Sequence, residues 1–271
     1  MNVLYAGEPH AKEEPVDPDV LRKVRKLIAG TLETDNAARE AAWTGLRNMG
    51  NLAVPGLVAL SRVKETTPEM LRSIVIVLGD TKDPRGGPVL AELLASKDAR
   101  LRRDAARALG DSGYKEALPA LEKLAGNAAE EEDVRLFCAV AAVRLGSDDA
   151  FKLLGELAKS PKAETRSRAV FALGKYGGAK QTAALAAALA DEDRDVREDA
   201  VAALRLVAKK AAWDPLVQAT GDTDYKVRNA AMDALRELTS QQIGNDPAAW
   251  KAWWAKEKDK PEKPEKEKAK E

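Results

Sequence analysis

Apolar positions along this chain recur at helical spacing, and the pattern returns about every 31 residues. With Arg197 in RDVREDAVAALR as reference, the equivalent positions are Arg39, Leu71, Arg102, Cys138, Arg166, Arg197 and Arg228. Three residues later stands a small or apolar residue: Ala42, Ile74, Ala105, Ala141, Ala169, Ala200 and Ala231. Seven residues after the reference comes leucine each time: Leu46, Leu78, Leu109, Leu145, Leu173, Leu204 and Leu235. Offsets of three and seven share one stripe of a helix. A repeat of roughly 20–50 residues marks a stacked array.

The punctuation agrees with the stripe. Asp35, Thr67, Asp98, Asp193 and Asp224 stand four residues before the reference, where a side-chain oxygen accepts free amides of the first helical turn. Gly79, Gly110, Gly146 and Gly174 follow the leucine and are read as left-handed helix stops. Each unit then holds a second apolar segment: 54–60, 88–94, 117–124, 150–158, 182–190 and 214–219. Pro55, Pro88, Pro119 and Pro215 lie near the starts of four of these, where proline is tolerated. Each repeat is therefore two helices and two turns. Strands are excluded because alternation is absent and alanine abounds. The irregular intervals around Cys138 place the first helix of repeat four about a turn early, at EEDVRLF.

The run D-x-x-V-R-x-x-A-x-x-A-L, quoted from 193–204, resembles the signature of short bacterial HEAT repeats, also called PBS-lyase HEAT-like repeats. The resemblance covers roughly residues 33–240, with Leu71 and Cys138 departing from the arginine. It implies an all-α, right-handed α-solenoid of about seven HEAT-like helical hairpins. The second helices of such an array line a concave face used by scaffolds and adaptors. Residues 1–16 read as a flexible lead, 17–255 as the solenoid with terminal capping helices, and 256–271 as a disordered Lys/Glu/Pro tail.

Composition narrows the function classes. Apolar residues reach 45% while aromatics are 4%, so the core rests on Ala, Leu and Val. Lys+Arg and Asp+Glu balance at 44 each, which argues against a nucleic-acid binder. No run approaches the ~18 apolar residues of a membrane helix, so no membrane insertion is expected. The start lacks the layout of a signal peptide. A cytoplasmic location is the default expectation, replaced by a periplasmic or secreted one if a leader has been removed. Cys138 is the sole cysteine and His10 the sole histidine. HEAT-like di-iron hydroxylases need several His-Glu pairs, so that class is set aside, and no metal, cofactor or catalytic residue is expected.

Three groups stand out as candidates. Arg39, Arg102, Arg166, Arg197 and Arg228 recur in phase and read as a structural ladder, each guanidinium reaching an acid or helix end nearby. Trp250, Trp253 and Trp254 share one face of a last helix and read as an end cap. Arg62, Glu92, Glu122, Lys123, Lys152 and Glu156 interrupt the second apolar segments and are candidate partner-binding residues. The function expected from this is a non-catalytic scaffold or adaptor, not an enzyme, binding a protein partner through the concave face. The alternative is a phycobilin-lyase-like or other ligand-handling repeat protein.

Overall fold

The computed structural model describes residues 16–261, and among these the regular elements are all helical. The contacts divide the chain into two compact units, one ending at Leu145 and the other beginning at Gly146. In the first unit, α1 (Pro18–Gly30) packs on the hairpin α2 (Asn36–Met49) and α3 (Val54–Ser61). Then come α4 (Pro68–Thr81) with α5 (Gly87–Leu93), α6 (Ala99–Ser112) with α7 (Leu118–Ala125), and α8 (Glu132–Arg144). The second unit holds α9 (Ala150–Leu157), α10 (Ala163–Gly177) with α11 (Thr182–Ala188), and α12 (Arg194–Val207) with α13 (Trp213–Ala219). It ends with α14 (Tyr225–Thr239) and α15 (Pro247–Glu257). This is an α-solenoid of HEAT-type hairpins.

First helices stack on first helices: α4 on α6 and α6 on α8 in one unit, α10 on α12 and α12 on α14 in the other. Second helices such as α5, α11 and α13 are only 7 residues long. Isolated helices below about 12 residues are marginal in water, so packing against the first helices holds them. The leucines at Leu46, Leu78, Leu109, Leu173, Leu204 and Leu235 are fully buried, as the stripe requires. The caps are equally regular. Asp35, Asp98, Asp193 and Asp224 each accept a first-turn amide at 2.8–2.9 Å, and Thr67 does so at 3.3 Å.

Two sequence readings need correction. Gly79, Gly110 and Gly174 do not close their helices but lie inside α4, α6 and α10. The left-handed residues come later, at Lys82 (φ 53°), Gly113 (φ 76°) and Gly178 (φ 58°). The three glycines are there for close approach. A Cβ on Gly79 would lie 3.0 Å from the Ala108 Cα, on Gly110 3.0 Å from the Ala141 Cα, and on Gly174 2.6 Å from the Ala203 Cα. Bare backbone on one first helix thus lets the next one dock. Of the four, only Gly146 has positive φ, at 99°.

The second correction concerns repeat four. Its reference residue is Arg135, not Cys138. The Arg135 amide bonds the carbonyl of the N-cap Glu131, as Arg102 does with Asp98 and Arg197 with Asp193. Cys138 then falls at the small, buried position three residues on, and the period through this repeat is regular. At the chain ends, α1 begins after its cap Asp17, and residues 1–15 lie outside the described residues. The expected tail boundary at 255/256 falls inside α15, whose helix continues to Glu257. Residues 262–271 also lie outside the described residues.

Candidate functional site

The ladder arginines follow one local rule. In each, Nη1 donates to the backbone carbonyl six residues earlier: Arg39 to Glu33 (3.0 Å), Arg102 to Ser96 (2.7 Å), Arg166 to Ser160 (2.9 Å), Arg197 to Asp191 (3.0 Å) and Arg228 to Asp222 (2.8 Å). That carbonyl belongs to the loop entering the same helix, so the guanidinium ties the turn to the first helix. Where an acid follows the second helix of the hairpin, the rest of the fork takes it. Arg166 grips Asp191 through Nε and Nη2 at 2.8 Å each, and Arg197 grips Asp222 at 2.9 and 3.2 Å. Arg102 reaches Glu130 at 2.5 Å. Arg39 instead binds Asn36 of its own helix.

The acids respond to this setting. Hydrogen bonding from Arg166 holds the Asp191 carboxyl below its ordinary value. Burial pushes Asp222 and Glu130 upward, but Arg197 and Arg102, with backbone amides at Asp224 and Glu131, outweigh it and leave both depressed. Neither acid was singled out from the sequence as a ladder partner. The signal was present, since Asp191 and Asp222 each stand 25 residues after their arginine.

The six charged candidates are divided between the two units. Arg62, Glu92, Glu122 and Lys123 belong to the first unit, Lys152 and Glu156 to the second. Arg62 pairs with Glu92 at 3.3 Å across neighbouring hairpins, and Lys152 pairs locally with Asp149 at 2.9 Å.

The tryptophans build the most site-like feature. Trp250 is fully buried and donates its indole N–H to the Gly244 carbonyl at 3.0 Å. Trp254 is nearly as buried and donates to Asp214 at 2.5 Å. Trp253 joins them to Trp213 of α13, with ring centroids 5.7 Å from Trp250 and 5.9 Å from Trp213. Beside the cluster opens a cavity of about 330 Å³ lined by Trp213, Trp253, Lys210, Leu238, Gln241 and Glu257, among others. The Lys210 ammonium sits 5.6 Å over the Trp254 ring and donates to the carbonyls of Glu257 (2.8 Å) and Lys258 (2.9 Å), tying down the end of α15. The buried Trp213 indole N–H finds no acceptor. Such a cavity offers an indole-lined wall to a ligand.

Redox and metal chemistry find little here. Burial pushes the Cys138 thiol up to about 12, so it is an inert core residue. No three His, Cys, Asp or Glu among the described residues are placed to hold a metal ion. His10 lies outside the described residues. The donor set therefore does not fit the His-Glu pairs of a di-iron centre, and no step is derived through one. No described helix is long and apolar enough to cross a membrane.

The stacked hairpins and the arginine rule define a class, and comparison with known families agrees. The model for HEAT repeats matches residues 54–136, 127–205 and 182–251, so the chain belongs to the HEAT-repeat family. Among curated proteins it is similar to the deoxyhypusine hydroxylase of Neosartorya fischeri, 30% identical over 142 residues, 49% of this chain and 42% of that protein. It is also similar to the Candida albicans deoxyhypusine hydroxylase, 33% identical over 123 residues, 42% of this chain and 39% of that one. The chain thus matches less than half the length of these relatives. Among solved structures, the Escherichia coli protein YibA is similar with a TM-score of 0.55 and 18% identity, covering 94% of this chain and all of that one. That likeness concerns the fold alone.

The relatives correct the functional expectation. A non-catalytic scaffold or adaptor, and the exclusion of enzymes, were read from missing catalytic residues. The curated proteins that share this chain's repeats are named as enzymes. Missing side chains were weighed against a repeat frame that enzymes also use.

Proposed function

We propose that this chain has an enzymatic role on the kind of substrate its deoxyhypusine hydroxylase relatives are named for, and that the tryptophan-lined cavity of the second unit holds that substrate. The observation carrying the reading is the 30% identity to deoxyhypusine hydroxylase through about half of the chain. The cavity supports it as a concave site with an aromatic wall. In this reading Trp253 and Trp213 together form one wall against which the substrate stacks. Lys210 fixes the wall by anchoring the end of α15.

The test is to incubate the full chain with a deoxyhypusine-bearing protein and to follow any change in the mass of that protein by mass spectrometry. Binding is read in parallel from tryptophan fluorescence. The reading expects saturable quenching that is weakened about tenfold in W253A, as loss of a stacking wall implies. A change of mass above the level of a protein-free control is expected alongside it. Absence of both binding and mass change would overturn the proposal.

A further inference from the structure

In the second unit the arginine rule is complete twice and then stops half-made. Arg166 and Arg197 each spend Nη1 on loop carbonyls and Nε with Nη2 on an aspartate. Arg228 spends Nη1 in the same way, on the carbonyls of Asp222 (2.8 Å) and Thr223 (2.9 Å). Its Nε and Nη2 take no acceptor among the described residues. Arg39 also lacks an acid, but its Nη2 is occupied by Asn36. Arg228 thus presents an empty bidentate fork, pinned by two backbone bonds in the pose that grips a carboxylate in both preceding repeats.

The reason lies in the direction of α15. Asp191 and Asp222 come just after the C-terminal ends of α11 and α13. The next carboxylate would come just after the end of α15. That helix runs antiparallel to α13, however, because Trp254 bonds Asp214 at the start of α13 and Lys210 holds the carbonyls of Glu257 and Lys258. The end of α15 therefore lies far along α13 from the loop at 221–223 that Arg228 holds. What α15 brings to that loop is a cation: the Lys251 ammonium is 3.7 Å from where a Cβ on Gly221 would sit. Lys251 is exposed and Arg228 half-buried, so solvent reaches both.

We infer that Arg228, assisted by Lys251, is a receptor for a carboxylate presented by an acidic polypeptide segment, gripped as Arg197 grips Asp222. A guanidinium already locked in the right orientation loses little side-chain freedom on binding, and charge-assisted forked bonds are the strong kind. The second cation raises the local preference for an anion. This site is separate from the tryptophan cavity and stands whether or not the hydroxylase reading does.

The experiment uses the full, isotope-labelled chain and follows the Arg228 side-chain Nε–H resonance by NMR. The probe is a capped Gly-Asp-Thr-Asp-Tyr peptide, copying the 221–225 loop that Arg197 grips, beside a counterpart with asparagine for the first aspartate. A saturable shift with the acidic peptide and little with the counterpart is expected. Both R228K and K251E should weaken binding, R228K by about tenfold as a forked pair becomes a single contact; R228K, which lacks the guanidinium resonance, is read from the backbone amides of residues 221–225. K251E leaves the loop-holding bonds of Arg228 intact, so it remains informative if R228K perturbs the fold. Equal shifts by both peptides, or unchanged binding in both variants, would overturn the inference. Glutarate is the second arm: binding as tight as the peptide's would make the ligand a small carboxylate and overturn the polypeptide assignment.

Discussion

Replacing Gly174 by alanine tests the packing argument most sharply, because two known effects oppose each other there. In a helix interior Gly→Ala is worth about 1 kcal/mol of added stability from backbone entropy and helix propensity. At Gly174 the new Cβ would sit 2.5 Å from the Ala203 Cβ, 2.6 Å from its Cα and 2.7 Å from its carbonyl oxygen. Two of those atoms are backbone of α12, so relief requires the helices to separate. Overpacking of that kind costs about 1–3 kcal/mol, and contact with backbone places G174A towards the upper end. The net expectation is a loss of about 1–2 kcal/mol. Gly155 provides the control, since it is interior to α9 and a Cβ there meets nothing within 4 Å. G155A should therefore gain about 0.5–1 kcal/mol. Urea denaturation followed by far-ultraviolet circular dichroism reads both, and melting temperatures should move in opposite directions by about 2–4 °C per kcal/mol. If G174A were as stabilising as G155A, close approach would not be what holds glycine at that position.

Four further expectations follow from the same geometry. D222N leaves the Arg197 guanidinium, whose side chain is only 13% exposed, without its counter-charge; it should cost about 3 kcal/mol by urea melt, against under about 1 kcal/mol for E237Q at an exposed pair. Asp191, Asp222 and Glu130 have depressed folded values, so their contribution is full above the unfolded value and is lost as pH falls through the folded one; an acid titration should show stability dropping below about pH 4, and D222N should flatten that drop. W250A removes a fully buried indole from the last helix and should cost about 3–5 kcal/mol in the same melt. Cys138 should resist alkylation at pH 8 in the native chain and react once urea unfolds it, which a thiol-reactive dye measures.

The fold was legible because its causes are local and repeated. An aspartate cap, a small residue three after the arginine and a leucine seven after it each mark a helix independently, and all fall in one phase. The glycines were misread because local chemistry offers glycine two meanings. A stop needs positive φ, whereas close packing needs only a missing Cβ; the choice is made by Ala108, Ala141 and Ala203 on the following helices, each about 30 residues away. Repeat four was misaligned because matching on spacing to the leucine favoured Cys138. Alignment on the cap, where Glu131 replaces aspartate, would have found Arg135. The first and last elements of a repeat array are read least well from its consensus, since they answer to an open end and not to a neighbour.

The course of the last described helix also explains why the sites were only partly visible. The tryptophans at 250, 253 and 254 read as a cap from spacing, and two of them are buried as a cap requires. Their fourth member, Trp213, and the lysine that anchors α15 could be joined to them only through the reversed course of the last helix. Reversal turns the end of α15 towards the start of α13. It thereby creates the cavity beside Trp213 and Trp253 and, at the other end of α13, withholds the carboxylate that Arg228 is shaped to take. One change of chain direction, encoded in the loop 240–246 and its Arg236 bonds to Ile243 and Asn245, produces both features. A repeat consensus describes what each unit gives its neighbour; both features of α15 arise where the chain departs from that consensus.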